Sequence, residues 1–158
     1  MPELHPDLAA LAPLLGTWAG SGTGEYPTIE PFGYLEEITF GHIGKPFLAY
    51  TQRTRSADGK PMHAETGYLR MPAAGRAELI IAQPTGVTEI DEGTVSTDDG
   101  IVIVLHSTSV GLSSTAKVVS AVNRSFRFFR DELTYAVEMS AVGKPMCHHL
   151  SATLHRMP

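Results

Sequence analysis

The sequence predicts an all-β fold: one antiparallel up-and-down barrel of about ten strands, preceded by a short N-terminal helix, over residues 1–158. Three observations predict it. Beyond Gly16 no stretch sustains an apolar period of 3.6 residues. Short runs rich in β-branched and aromatic residues recur instead, with turn residues between them. The links are too short to hold crossover helices, so sequential strands pair antiparallel. A sandwich would satisfy the same pattern, but closure into a barrel removes exposed edges and leaves room for one ligand.

The elements follow in order. HPDLAALAPLLG reads as a helix with Asp7 as N-cap, Leu8, Leu11 and Leu15 on one side, Pro13 tightening the last turn and Gly16 as the stop. Eleven β-rich runs follow: 17–24, 32–43, 47–54, 63–70, 77–83, 86–90, 93–97, 101–108, 116–128, 133–141 and 149–156, which boundary error reduces to about ten strands. Asp58-Gly59 and Asp99-Gly100 are hairpin signals, and Gly44-Lys45-Pro46, Ala73-Ala74-Gly75 and Arg130-Asp131-Glu132 serve as tight links.

The first strand is unusual. Gly16, Trp18, Gly20, Gly22 and Gly24 fall at every second position, so one face carries Trp18 and otherwise no side chains. Glycine inside a strand weakens it and is used at bends, bulges or where a ligand or another backbone comes close. Gly16 and Trp18 fit a barrel corner plugged at one end, whereas Gly20 to Gly24 fit a corner or ligand clearance equally.

Composition narrows the function classes. A formal net charge of −5, with the 12 Lys and Arg scattered, argues against a nucleic-acid partner. The segment from Met1 to Leu15 lacks a basic stretch and a long apolar run, so neither a signal peptide nor a membrane span is expected, and the cytoplasm is the expected compartment. Cys147 is the only cysteine, which excludes an internal disulfide, a CxxC redox pair and a CxxCH attachment site.

The glycine strand is also a motif. GxWxGxGxGxYPTI, met from Gly16 to Ile29, resembles the signature of the nitrobindins, ten-stranded heme barrels related in shape to fatty-acid-binding proteins and lipocalins. The similarity continues through PFGYLEEITFGHIGKPFL, KPMHAETGYLR, TGVTEIDEG and LTYAVEMSAVGKPMCHHLSATLHR, nearly the whole length.

Seven histidines are candidates for an iron ligand. His5 precedes the helix, and His42 and His106 sit on strands without partner spacing. His149 and His155 share a strand face but lie about 20 Å apart, too far for one metal ion. His148 and His149 point to opposite faces, and the sequence leaves open which one enters the barrel. The resemblance implies His149, because the nitrobindin proximal ligand is the histidine immediately before leucine in the last strand. An inward His149 would turn Ser151 and Thr153 inward and Leu150, Ala152 and Leu154 outward, unless a bulge intervenes.

Met139 shares parity with Leu133, Tyr135 and Val137, an inner-face stripe, and serves either as core or as a heme contact. Met62 and His63 correspond by motif to residues near the heme pocket. Thr28 either caps the turn after Pro27 or, as the resemblance implies, faces the distal side. Lys117 is either solvated or neutralises a heme propionate. The resemblance thus implies heme b, nitric oxide binding, and isomerisation of peroxynitrite to nitrate at a ferric iron. The competing reading is a non-enzymatic carrier of an apolar ligand such as a fatty acid. Such carriers clamp a carboxylate with an interior Arg-x-Tyr pair on the final strands, and HLSATLHR contains no tyrosine.

Overall fold

The computed structural model describes residues 2–158. A 3₁₀ helix, Pro6–Leu14, leads into β1 (Gly16–Tyr26), β2 (Ile29–Gly41), β3 (Leu48–Arg55), β4 (Pro61–Arg70), β5 (Arg76–Gln83), β6 (Val87–Ser96), β7 (Ile101–Leu112), β8 (Val119–Phe129), β9 (Glu132–Ala141) and β10 (Cys147–Arg156). Each strand pairs antiparallel with its neighbours in sequence, and β1 pairs with β10 to close the barrel. No described helix is long and apolar enough to cross a membrane.

The helix departs from expectation in three ways. Its N-cap is His5, whose Nδ1 accepts the Asp7 N–H at 3.2 Å, so Asp7 lies inside the first turn. The buried side chains are Leu8, Leu11 and Leu14, not Leu15, because three residues per turn align every third position on one edge. The helix ends at Leu14 with Leu15 as its C-cap, and Gly16 opens β1 with φ +120°, a conformation that favours glycine.

Two expected runs, 86–90 and 93–97, are one strand, β6. Gly93 does not break it. A Cβ there would strike the Val104 carbonyl of β7, so glycine permits close strand approach. β8 begins at Val119 rather than 116, which leaves Lys117 in the β7–β8 loop.

One end of the barrel is sealed. Trp18 is fully buried, donates its indole N–H to Leu14 O at 2.9 Å, and meets Phe128 edge-on. The Arg156 guanidinium covers the Trp18 ring at 4.3 Å and donates to Leu15 O and Pro13 O, with Asp131 beside it. Leucines of the helix and the aromatic rings of Phe40, Tyr50 and Phe126 fill this half. The opposite end keeps a cavity.

Candidate functional site

β10 pairs with β9 through Cys147↔Met139 and His148↔Glu138, then resumes at Leu150↔Val137, so His149 is the extra residue of a bulge. The bulge resets alternation. Ala152 and Leu154 are buried, Thr153 is exposed, and both His149 and Leu150 border the cavity. Ser151 and Thr153 therefore do not follow His149 inward, and the apolar side of β10 faces the core. The bulge also separates His149 from His155, which stands outside against Glu132 at 3.3 Å. His148 points outward to Glu25 Oε1 at 3.0 Å.

His149 is held in one tautomer. Its Nδ1 lies 3.0 Å from Glu25 O, and since a carbonyl oxygen only accepts, Nδ1 carries the hydrogen. Nε2 then carries the lone pair, with no hydrogen-bond partner among the described residues. Burial lowers the imidazole pKa, an effect the Glu25 hydrogen bond opposes and the nearby His148 and Arg124 reinforce, so the neutral ring is favoured. Tyr26 braces this corner: its ring meets His149 edge-on at 5.4 Å, and its hydroxyl accepts the Ala141 N–H at 2.8 Å. A neutral imidazole whose other nitrogen donates to a backbone carbonyl is the donor chemistry that an iron ligand requires.

The cavity holds about 290 Å³. Toward the open end its wall is apolar, with Phe32, Val119, Met139 and Leu150; deeper, it exposes Tyr34, Gln52, Glu65 and Arg124. The glycine face of β1 lies under this wall. A Cβ on Gly24 would run into the Phe32 ring, one on Gly22 into the Tyr34 ring, and one on Gly20 into the backbone at Thr153 and Leu154. The missing side chains make room for two aromatic rings of β2 and for β10.

Of the residues singled out in the sequence, His149, Met139, Met62 and His63 meet at this cavity. Thr28 does not border it; it is exposed in the two-residue turn between β1 and β2. Lys117 is exposed too, in the loop two residues before Val119. Of the histidines set aside, His42 accepts the Gly44 N–H through Nδ1 at 3.1 Å.

Sequence reasoning missed the polar floor. Arg124, 8% exposed, reaches Glu65 at 3.0 Å, Glu89 at 2.8 Å and Asp91 at 3.5 Å. Tyr50 donates to Glu65 at 2.8 Å, and the His63 ring lies 3.2 Å from the same carboxylate. Burial pushes the Glu65 carboxyl up, but Arg124, His63 and Tyr50 outweigh it and hold it at about 2. Glu36 sits apart, accepting from Tyr135 at 2.9 Å and from Gln52, and burial raises it to about 7 against those hydrogen bonds. Burial and the neighbouring Glu89 push Asp91 up as well. The signal was strand parity: Glu36 lies in register with buried Tyr34 and Ile38, and Glu89 and Asp91 with Val87 and Val95.

The family model of the THAP4-like, heme-binding beta-barrel domain matches residues 7–156. Peroxynitrite isomerase 2 of Mycobacterium avium (strain 104) is 60% identical, covering 98% of this chain and 97% of the relative. Peroxynitrite isomerase of Nocardia farcinica (strain IFM 10152) is 61% identical over 97% of this chain and 92% of its own. The crystal structure of Rv2717c from M. tuberculosis superposes with a TM-score of 0.96 at 56% identity, covering 99% of this chain and 100% of that one.

Proposed function

Because the chain belongs to the THAP4-like heme-binding β-barrel family, we propose that it holds heme b through His149, binds nitric oxide, and isomerises peroxynitrite to nitrate. The observation that carries this reading is the bulged His149, a neutral imidazole fixed by Glu25 at the border of a half-apolar cavity. When bound there, a ferric heme supplies a Lewis acid that rearranges peroxynitrite without net electron input.

The chain's own residues do the rest. The Glu25 carbonyl keeps the Nδ1 hydrogen in place, so Nε2 is offered as a lone pair without a tautomer change. Burial keeps the ring from protonating, which would remove that lone pair. Phe32, Val119, Met139 and Leu150 provide apolar contact for a macrocycle and exclude water from it. Lys117, exposed beside the mouth, is proposed to offset a propionate, and Thr28, on the rim turn, to border the distal approach. The 1–158 chain acts as one unit in this reading, in the cytoplasm, with small molecules rather than nucleic acids as partners.

The carrier reading loses ground at Arg124. An interior arginine does exist, on β8, but Glu65, Glu89 and Asp91 already occupy its guanidinium. A fatty-acid carboxylate would meet an acidic floor with no free cation among the described residues.

Titrating purified protein with hemin and following the Soret band tests the proposal. One-to-one saturable binding is expected, lost in His149→Ala and kept in His155→Ala. No saturable spectrum from the unmodified chain would sink the heme reading.

A further inference from the structure

Beneath the cavity runs a chain of hydroxyls that the proposed reaction does not use. Tyr34, on the cavity wall, shares a hydrogen bond of 2.7 Å with Tyr135, and Tyr135 donates to Glu36 Oε2 at 2.9 Å. Each hydroxyl has a single hydrogen, so the direction of one bond dictates the next. With Glu36 ionised, Tyr135 gives its hydrogen to the carboxylate and Tyr34 gives its own to Tyr135. Tyr34 then has only lone pairs for the cavity. A proton on Glu36 Oε1 would find no partner among the described residues, whereas one on Oε2, where the Gln52 N–H only donates, finds the Tyr135 oxygen as its acceptor, which turns Tyr135 toward Tyr34 and releases the Tyr34 hydrogen.

We infer that Tyr34 is a switchable hydrogen-bond donor to a ligand in the cavity, turned on when Glu36 is protonated and turned off when it is ionised. The switch reorients O–H bonds and breaks no covalent bond other than the one to the proton that Glu36 exchanges with solvent. Burial places that exchange near neutrality, at about 7. Both tyrosines are shifted far up by burial, so neither ionises in this range. The other groups facing the chain are Tyr50 from β3, His63 and Glu65 from β4, Glu89 and Asp91 from β6, and Arg124 from β8. Of these, Asp91 is also raised by burial, and it needs its own control. An anionic ligand such as peroxynitrite would gain a donor below the switch point. That consequence rests on the heme reading, whereas the relay itself does not.

The test uses the full chain, labelled with ¹³C at tyrosine Cζ and titrated by NMR without hemin, with Tyr34→Phe and Tyr135→Phe assigning the signals. The Tyr34 and Tyr135 signals should move together with one midpoint close to 7. The step should vanish in Glu36→Gln, vanish at Tyr34 in Tyr135→Phe, and survive in Asp91→Asn. A flat Tyr34 signal in the unmodified chain, a step that survives Glu36→Gln, or one lost in Asp91→Asn overturns the relay. In a second arm, reduced hemin-loaded protein carries carbon monoxide, whose stretching frequency reports donors near it. It should shift with the same midpoint, and the shift should disappear in Tyr34→Phe. An unshifted frequency overturns the claim that Tyr34 reaches a ligand. Failure to take up hemin at all counts against the heme reading and leaves the relay to be judged by the tyrosine signals.

Discussion

Arg124 balances an excess of carboxylates inside the barrel, and its removal tests how that balance is kept. Arg124→Met fills the volume but leaves Glu65 and Glu89 buried without their cation. The expected loss is about 3–5 kcal/mol, read from urea unfolding at neutral pH. Glu36 has the opposite sense. Its folded pKa of about 7 lies above the ordinary 4.5, so its contribution to stability is complete below 4.5 and is lost as pH rises through 7. At roughly 1.4 kcal/mol per pH unit this amounts to about 3 kcal/mol. Glu36→Gln should therefore gain stability relative to the unmodified chain above neutrality, and a matched pair of unfolding curves at acidic and alkaline pH checks the sign. Single residues were legible unevenly. His149 was separable from His148 only through a family motif, because simple alternation misplaces every residue after a bulge. The floor was missed for a different reason: a lone Glu or Arg on a strand reads as solvent-facing until its partners on other strands are known, β4 and β6 for Arg124 and β3 and β9 for Glu36.

At the level of the strand, the glycines of β1 set up a comparison. A methyl group on Gly24 meets the far end of the Phe32 side chain, which can rotate; one on Gly20 meets the Thr153 and Leu154 backbone, which cannot. Gly20→Ala should cost more stability than Gly24→Ala, with overpacking costs of about 1–3 kcal/mol at the yielding site. Because Phe32 lines the cavity, Gly24→Ala should also weaken hemin binding disproportionately. Thermal melts beside hemin titrations separate the two effects. The alternating glycines were visible in the sequence, but not what occupied the space above them, since the rings come from the neighbouring strand. The helix was legible as an element and misread in pitch. Leucines at 8, 11, 14 and 15 suit either an α or a 3₁₀ path, and the backbone bonds three residues apart, Leu8 N–H to His5 O and Leu15 N–H to Ala12 O, pick out the second.

The whole molecule divides into a sealed half that carries stability and an open half that holds the cavity. Leu11→Ala, in the plug, should lower stability by about 2–5 kcal/mol without moving the Soret band, because the site lies at the other end. A shifted band would mean that the halves are coupled. Short links made closure of the barrel legible. Which end stays open was not, because it depends on where the helix docks. That docking is decided by Trp18 and Arg156, at opposite ends of the sequence.

The pairing of β1 with β10 governs when the site can come into being. The carbonyl that orients His149 belongs to Glu25, 124 positions earlier. During synthesis, the strand bearing the glycines emerges first and must wait for the last strand before either has its partner. No fragment lacking β10 can offer the proposed iron ligand in its finished setting, and contacts this distant in sequence form slowly. Cofactor capture through an oriented His149, the proposed ligand, thus waits until β10 has been made and has paired with β1.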